Sequence, residues 1–526
     1  VADTSFTPDQ RRAIEGRGGA IYVSAAAGSG KTAVLVERVV DRIVNGGSVD
    51  RLLVVTFTVA AASEMRRRIH EALQALLIKE PGNRHLMRQQ ILLHNARICT
   101  IDSYCSELVR SHFHILGVPP DFGVSVGADY ELMREAALND ALEAAYSGMD
   151  SDFADMVENF GNGRDDSALF NALLSLQQAL SADPDPAGFR ARALEVFGED
   201  RKARQALKET VKDYARGRLA DLAGSFERVC AALDGRGDER LSAAVLPLMR
   251  EDMGIIAGLC DALSQPGFTA ARSAFSGARF SSFPSLRGYA DDTLKQRAHS
   301  LHGELKKQVT DMADGIFSMS DADIEEDAAR LYPMVRALFR VEEDFEKRLR
   351  ERLLRRGLLS FPEIARLAMT LLVEKYDRAS GRVTPTELAV TLSGELDEVM
   401  IDEYQDTNLL QDIIFTALSD GGRKLFCVGD GKQSIYRFRQ AMPEIFEARK
   451  ESARPFGEGF PALVWLSDNF RSRSGILDFT NFVFGQIMSK RVGGTDYTGG
   501  ERLRCGARYP DVTKPQVELH ILRAEE

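Results

Sequence analysis

The stretch Ala20-Ile21-Tyr22-Val23-Ser24-Ala25-Ala26-Ala27-Gly28-Ser29-Gly30-Lys31-Thr32 joins an apolar run to an amphipathic segment in which Val36, Val39, Val40, Ile43 and Val44 recur at helical spacing. A strand, a glycine-containing turn and a helix start in that order bring several backbone N–H groups to one point, where the helix dipole adds positive potential. Phosphate oxygens suit such a turn. Ala25, Ala26, Ala27, Gly28, Ser29, Gly30, Lys31 and Thr32 therefore read as a P-loop for ATP, with Lys31 reaching the β- and γ-phosphates and the Thr32 hydroxyl completing the coordination of Mg²⁺. Ala25 stands where the usual pattern has its first glycine, while Gly28 and Gly30 keep the backbone freedom the loop needs.

Working outward, four more apolar runs end in polar residues of unusual type. Leu52 to Val55 leads into Thr56-Phe57-Thr58, Arg97 to Cys99 into Thr100-Ile101-Asp102-Ser103, Val399 to Ile401 into Asp402-Glu403, and Leu425 to Val428 into Gly429-Asp430. With Ala20 to Val23 they read as buried parallel strands of a doubly wound α/β sheet, which binds ligands at the carboxyl edge of its strands. Several hundred residues separate Lys31 from Asp402, far more than a minimal nucleotide-binding sheet needs. Residues 128–375 carry helical spacing, as in Leu132, Ala136 and Ala145 or Leu338, Val341, Phe345 and Leu349, and predict a large α-helical domain inserted between two strands. Gln265-Pro266-Gly267 through Ser281-Ser282-Phe283-Pro284 reads as a loop or break within it.

Bulk properties set the bounds. The 526 residues suffice for about three domains, and 44% hydrophobic content is enough for full cores. No run approaches the roughly 18 apolar residues of a membrane span, and Val1-Ala2-Asp3-Thr4-Ser5 lacks the features of a signal peptide, so the expectation is a cytoplasmic chain with no membrane partner. Cys99, Cys105, Cys230, Cys260, Cys427 and Cys505 show no C-x-x-C pairing, which predicts reduced, mostly buried thiols. The net charge of −11 argues against indiscriminate binding of polyanions but leaves room for a locally basic groove. Arg66-Arg67-Arg68 and the cluster Lys347, Arg348, Arg350, Arg352, Arg355 and Arg356 are candidates for it, the alternative being solvated helix faces.

Asp402-Glu403 at a strand end suits two roles: Asp402 can hold Mg²⁺, and Glu403 can position and deprotonate an attacking water. Gln405-Asp406-Thr407 follows directly. In Gly429-Asp430-Gly431-Lys432-Gln433-Ser434-Ile435-Tyr436-Arg437-Phe438-Arg439, the Gln433 amide is suited to sensing a γ-phosphate. Tyr436 and Phe438, one residue apart, could both stack on bases or could both be core. Arg471 in Asn469-Phe470-Arg471-Ser472, after the run Leu463 to Leu466, is either an arginine finger or one half of a surface salt bridge.

Taken together, these elements resemble the UvrD/RecB-like helicases of superfamily 1. Phe6-Thr7-Pro8-Asp9-Gln10 resembles their Q motif, which implies that Gln10 hydrogen-bonds adenine; Ala25 to Thr32 resembles motif I. Thr56-Phe57-Thr58 with Ala61, Ala62, Glu64 and Met65 resembles motif Ia, and Thr100-Ile101-Asp102-Ser103 the next DNA-contacting motif. Asp402 to Thr407 matches motif II, Val428 to Arg439 motif III, and Asn469 to Ser472 motif IV. DNA contacts are thereby implied for Thr56, Phe57, Thr58, Thr100, Ser103, Tyr436, Phe438 and Arg439, and stacking on adenine for Phe470. Val59-Ala60 and Asp102 depart from the family's Asn-Lys and His and remove groups that could touch DNA.

Lys432 to Arg439 with Pro443-Glu444, together with Arg164-Asp165-Asp166 and Asp183-Pro184-Asp185-Pro186, look most like the AddA helicase-nuclease branch. That resemblance implies a RecA-like P-loop NTPase sheet built from 1–127 and 376–465, a helical insert at 128–375, and the start of a second RecA-like domain at 466–526. It implies 3′ to 5′ translocation on single-stranded DNA, action on duplex ends in recombinational repair, and an AddB-like partner. Motifs V and VI and a nuclease signature are missing, so the expectation is an N-terminal part of a longer protein, weakly active alone, whose residues Gly499 to Glu526 pack poorly. The rival readings are a UvrD- or Rep-type repair helicase without nuclease, a nucleotide-binding switch without motor action, and an interaction module that docks the partner through its helices.

Overall fold

The computed structural model describes residues 6–148, 150–160, 166–289, 292–510 and 517–520. Arg164 and Asp165 lie outside the described residues, as do 1–5 and much of the stretch after Tyr509. The chain forms two compact units, one from 1–137, 175–184 and 347–526, the other from 138–174 and 185–346.

The first unit is built on a seven-stranded sheet. Its strands are β1 (Ile21–Ala25), β2 (Leu52–Thr56), β3 (Arg97–Thr100), β4 (Glu398–Ile401), β5 (Leu425–Gly429), β6 (Arg454–Pro455) and β7 (Ala462–Leu466). The order across the sheet is β6-β7-β1-β5-β4-β2-β3, and every neighbouring pair is parallel. All five predicted strands are in it, with β1 near the centre, so the loops that follow residues 25, 401, 429 and 466 open at one edge.

Strands β1, β2, β4 and β5 are buried at every position, whereas β7 alternates, since fewer neighbours cover it. Successive side chains point to opposite faces and seed two cores. Tyr22, Leu53, Val55, Val399, Ile401 and Cys427 join the helices Ile101–Ser111, Phe361–Leu372 and Leu409–Leu418 on one side. Ile21, Val23, Val54, Met400, Phe426 and Val428 join the helices Lys31–Val44 and Val59–Lys79 on the other.

In sequence Glu398 is the last charge before an apolar run; in the fold it is the buried first residue of β4. Its Oε1 accepts from Arg38 Nη2 at 2.5 Å and its Oε2 from Arg42 Nε at 3.0 Å, and Arg38 also lies over the Phe426 ring. Removing one partner of such a buried pair costs about 3–5 kcal/mol, because the remaining charge stays desolvated.

The second unit is helical, with the helices Arg201–Gly235, Glu239–Ser264 and Thr293–Asp314 around Leu219, Phe226, Val245, Met249, Leu259, Leu305 and Val309. Within it a short helix, Thr269–Gly277, stands inside the stretch read as a loop or break. This unit is narrower than 128–375, since 128–137, 175–184 and 347–375 belong to the sheet-bearing unit. In that unit Gly123–Val124 pairs in parallel with Leu358–Leu359, so the chain departs and returns at one place.

All six cysteines are free, but only Cys105 and Cys427 are buried; Cys99, Cys230 and Cys260 are half-buried and Cys505 is exposed, which corrects the expectation of mostly buried thiols. Among the described residues no helix is long and apolar enough to cross a membrane.

Candidate active site

The turn after β1 has Gly28 at φ +70° and Gly30 at φ +85°, the left-handed region that favours glycine. A Cβ on Gly28 would also fall 2.9 Å from the Arg471 Cβ, so the position is constrained by close approach as well. Gly30 starts the helix Lys31–Val44 with no side-chain cap, and the Ser29 hydroxyl is buried with no hydrogen-bond partner among the described residues. An uncapped helix start, an unpartnered buried hydroxyl and an adjacent lysine fit a polyphosphate. Gln10 sits against this turn: its Oε1 accepts from the Thr7 N–H and its Nε2 donates to the Ser29 carbonyl, both at 2.9 Å.

At the end of β4, Glu403 takes φ +52°, an uncommon conformation for a residue with a side chain. Its Oε2 accepts from Lys31 Nζ at 2.7 Å and from Gln405 Nε2 at 2.8 Å. Burial, reinforced by the adjacent Glu403 carboxylate, pushes the Asp402 carboxyl up to about 6, and the same two causes bring Asp406 to about 6. Gln405, to which the sequence assigned no role, joins two strand ends, since its Oε1 also accepts from the Asp430 N–H at 2.9 Å. A Cβ on Gly429 would meet that oxygen at 2.7 Å, which is why β5 closes on glycine. The signal for Gln405 was its position two residues after a strand-end glutamate.

Gln433 donates through Nε2 to Asp430 Oδ2 at 2.6 Å. Asn469, named only as part of a motif, fastens its segment to the P-loop: Nδ2 donates to the Ala27 carbonyl at 2.6 Å, and Oδ1 accepts from the N–H groups of Arg471 and Ser472, both at 2.8 Å. Phe470 N–H donates to the Gly28 carbonyl at 2.9 Å. Arg471 is exposed and forms no salt bridge among the described residues, unlike the surface-pair alternative.

The residues expected at DNA divide into two groups. Thr58 and Thr100 cap helices, accepting from Ala61 N–H and Ser103 N–H, while Thr56 Oγ1 donates to the Thr58 carbonyl at 3.0 Å and the Ser103 hydroxyl bonds Thr100 Oγ1 at 2.9 Å. The aromatic residues meet: the rings of Phe57 and Tyr436 are 4.6 Å apart, those of Tyr436 and Phe438 5.7 Å, and the Arg439 guanidinium lies over both of the latter at 5.4 and 5.8 Å. Phe438 is 65% exposed, so it is not core. A cavity of about 510 Å³, bordered by Phe57, Asp102, Phe361, Asp402, Glu403 and Arg439, lies between this cluster and the carboxylates.

The arginine candidates are largely engaged within the fold. Arg66 bonds the Ile98 carbonyl at 2.9 Å, Arg67 and Arg68 share Glu64, and Arg350 pairs with Glu363 at 2.8 Å.

Residues 6–454 match the UvrD/REP helicase N-terminal domain. The chain is 35% identical to an ATP-dependent helicase/nuclease subunit of Lachnoclostridium phytofermentans, over 97% of this chain and 38% of that protein. Proteins of the same name from Clostridium acetobutylicum and Bacillus cereus are 31% and 33% identical, over 100% and 99% of this chain and 44% and 42% of theirs. The chain thus spans about two fifths of the length of these curated relatives. A parallel sheet that gathers Lys31, Glu403, Gln433 and Asn469 at one edge, and a family match over most of its length, make this chain a member of the UvrD/REP helicase family.

Proposed function

We propose that this chain is the ATP-binding part of an AddA-like DNA translocase and helicase, moving 3′ to 5′ on single-stranded DNA and opening duplex ends in break repair. The observation that carries the reading is that Asp402 and Glu403, the latter paired with Lys31 of the P-loop, border one cavity together with Phe57 and Arg439, whose cluster with Tyr436 and the exposed Phe438 stands beside it, which lets nucleotide chemistry and strand contact share a sheet edge. Residues 1–127 and 376–465 form the first RecA-like lobe in this proposal, 128–375 the helical insert, and 466–526 the start of the second lobe. The relatives are named as subunits of a helicase/nuclease, which supports a partner subunit, AddB-like in this proposal, and the setting proposed for the assembly is the cytoplasm.

In this proposal the residues divide the work as follows. Ala25 to Thr32 wrap the phosphates, with Lys31 as their point charge. Thr32 and Asp402 hold Mg²⁺, which when bound neutralises and orients phosphate oxygens. Glu403 accepts the proton of the attacking water, and Gln405 fixes its carboxylate through the bond to Oε2. Gln433 reads the γ-phosphate, Arg471 balances charge at the transferring group, and Gln10 with Phe470 flanks the base. Lys31 has two anionic claimants, Glu403 and the phosphates, so nucleotide entry would release Glu403 to act as base.

The test is ATP turnover with and without single-stranded DNA at two salt concentrations. Turnover that rises with DNA, and rises less at high salt, supports the motor; turnover indifferent to DNA overturns it.

For Phe438→Ala the DNA concentration giving half-maximal stimulation should rise roughly 5- to 150-fold, the equivalent of about 1–3 kcal/mol of stacking, with ATP affinity kept. An unchanged DNA requirement would exclude Phe438 from the strand path. The Asp402 carboxyl, at about 6, sets a pH dependence. Below that pH the proton and Mg²⁺ compete for one carboxylate, so Mg²⁺ affinity should fall about tenfold per pH unit. Calorimetric titration at pH 5 and 7.5 reads it, and a flat profile removes Asp402 from the metal site.

A further inference from the structure

Behind the site lies a buried ionic chain that no part of the proposed mechanism uses. Glu501 lies in the short 3-10 turn Gly499–Glu501 and is 5% exposed, so this part of the stretch expected to pack poorly is in fact closely packed. Its Oε2 accepts from Lys432 Nζ, and its Oε1 from Lys450 Nζ at 2.7 Å. Lys432 Nζ also reaches Asp430 Oδ1 at 2.8 Å, and Lys450 reaches Glu447 at 2.9 Å. Both oxygens of Glu501 are therefore engaged, each by a lysine that is itself buried or nearly so. Although burial pulls the other way, Asp430 and Glu501 together raise the Lys432 ammonium above its ordinary value, so Lys432 is held charged.

Asp430 then divides the connection in two. Its Oδ2 accepts from Gln433 Nε2, and its N–H donates to Gln405, which holds Glu403. The other end of the chain leads to the P-loop's second neighbour: the Gly500 carbonyl accepts from the Ser467 hydroxyl at 2.7 Å, and Arg504–Cys505 pairs with Asp468–Asn469 just before Arg471. One set of bonds thus runs from the segment carrying Arg471, through Glu501 and Lys432, to Gln433 and Glu403.

We propose that Glu501 is a positioning residue for ATP hydrolysis, holding Lys432 so that Asp430 aims Gln433 and, through Gln405, Glu403, and so linking the segment of Arg471 to the groups at the γ-phosphate. This rests on the function proposed above. Lys450 anchors the opposite oxygen of Glu501 and, among the described residues, bonds Glu447 rather than Asp430, so the two lysines are not equivalent. A charge network that only stabilised the fold would treat them alike.

The experiment compares Glu501→Gln, Lys432→Met, Lys450→Met and Glu501→Asp in the full-length protein, reading kcat and KM for ATP with saturating single-stranded DNA beside thermal melting. Expected are a fall in kcat of about tenfold or more for Glu501→Gln and Lys432→Met, with KM within about twofold. Lys450→Met should lower the melting temperature while kcat stays within about twofold, and Glu501→Asp, which keeps the charge, should recover part of the loss. Glu501→Gln with normal kcat overturns the inference, as do equal losses in the two lysine variants. Should Glu501→Gln fail to fold, the contrast between the lysine variants still decides. A wild-type protein without ATP turnover overturns the proposed function and this inference with it.

Discussion

Lys31→Ala is expected to lower ATP turnover by about 10²–10³-fold or more, because a preorganised charge aimed at the transferring phosphate acts where water cannot screen it. Lys31 is mostly buried and its Nζ lies 2.7 Å from Glu403, so the variant also leaves that carboxylate with Gln405 as its hydrogen-bond donor. ATP affinity should fall as well, since a phosphate ligand is lost. The check is steady-state turnover paired with a melting curve. The helix Lys31–Val44 keeps its core through Val34, Leu35, Val39 and Ile43, so the fold should survive. Unchanged turnover would remove Lys31 from the site, and with it the reading of the P-loop as catalytic.

Glu403→Gln separates binding from chemistry. The amide oxygen of the new side chain can still accept from Gln405, so the geometry at the end of β4 is kept while the proposed base is lost. Turnover should drop about 10²–10⁴-fold, the usual contribution of a positioned general base. Nucleotide affinity should stay or rise, because Lys31 no longer has a carboxylate competing for it. Turnover near wild type would assign the base elsewhere, with Asp406 the next carboxylate on that loop. A matching loss of affinity would instead make Glu403 a binding group.

Much of this fold can be read from short stretches of chain. The apolar runs are strands since central parallel strands are covered on both faces and need continuous apolar sequence. Glu398 escaped that logic, because a charge is expected outside a core until Arg38 and Arg42 are known to meet it. The aromatic pair Tyr436 and Phe438 was legible as two possibilities; exposure of Phe438 and the arrival of Phe57 from another loop favour the surface one. Thr58 and Thr100 look like strand-contact residues by motif, yet their hydroxyls cap helices, a role that any strand-helix junction with threonine can fill.

By itself the sequence determined the glycine turn between β1 and the helix Lys31–Val44, the strand ends that carry polar loops, the helical character of the long middle region and the family. Each depends on residues close together in the chain, whose periodicity and turn chemistry act locally. Tertiary structure alone decided that Lys31 meets Glu403, that Gln405 joins the ends of β4 and β5, that Asn469 clasps the P-loop, and that Glu501 lies buried between two lysines. Those encounters follow from a strand order in which β1 sits between β5 and β7, and order across a sheet is set by which faces can be buried together, not by position along the chain.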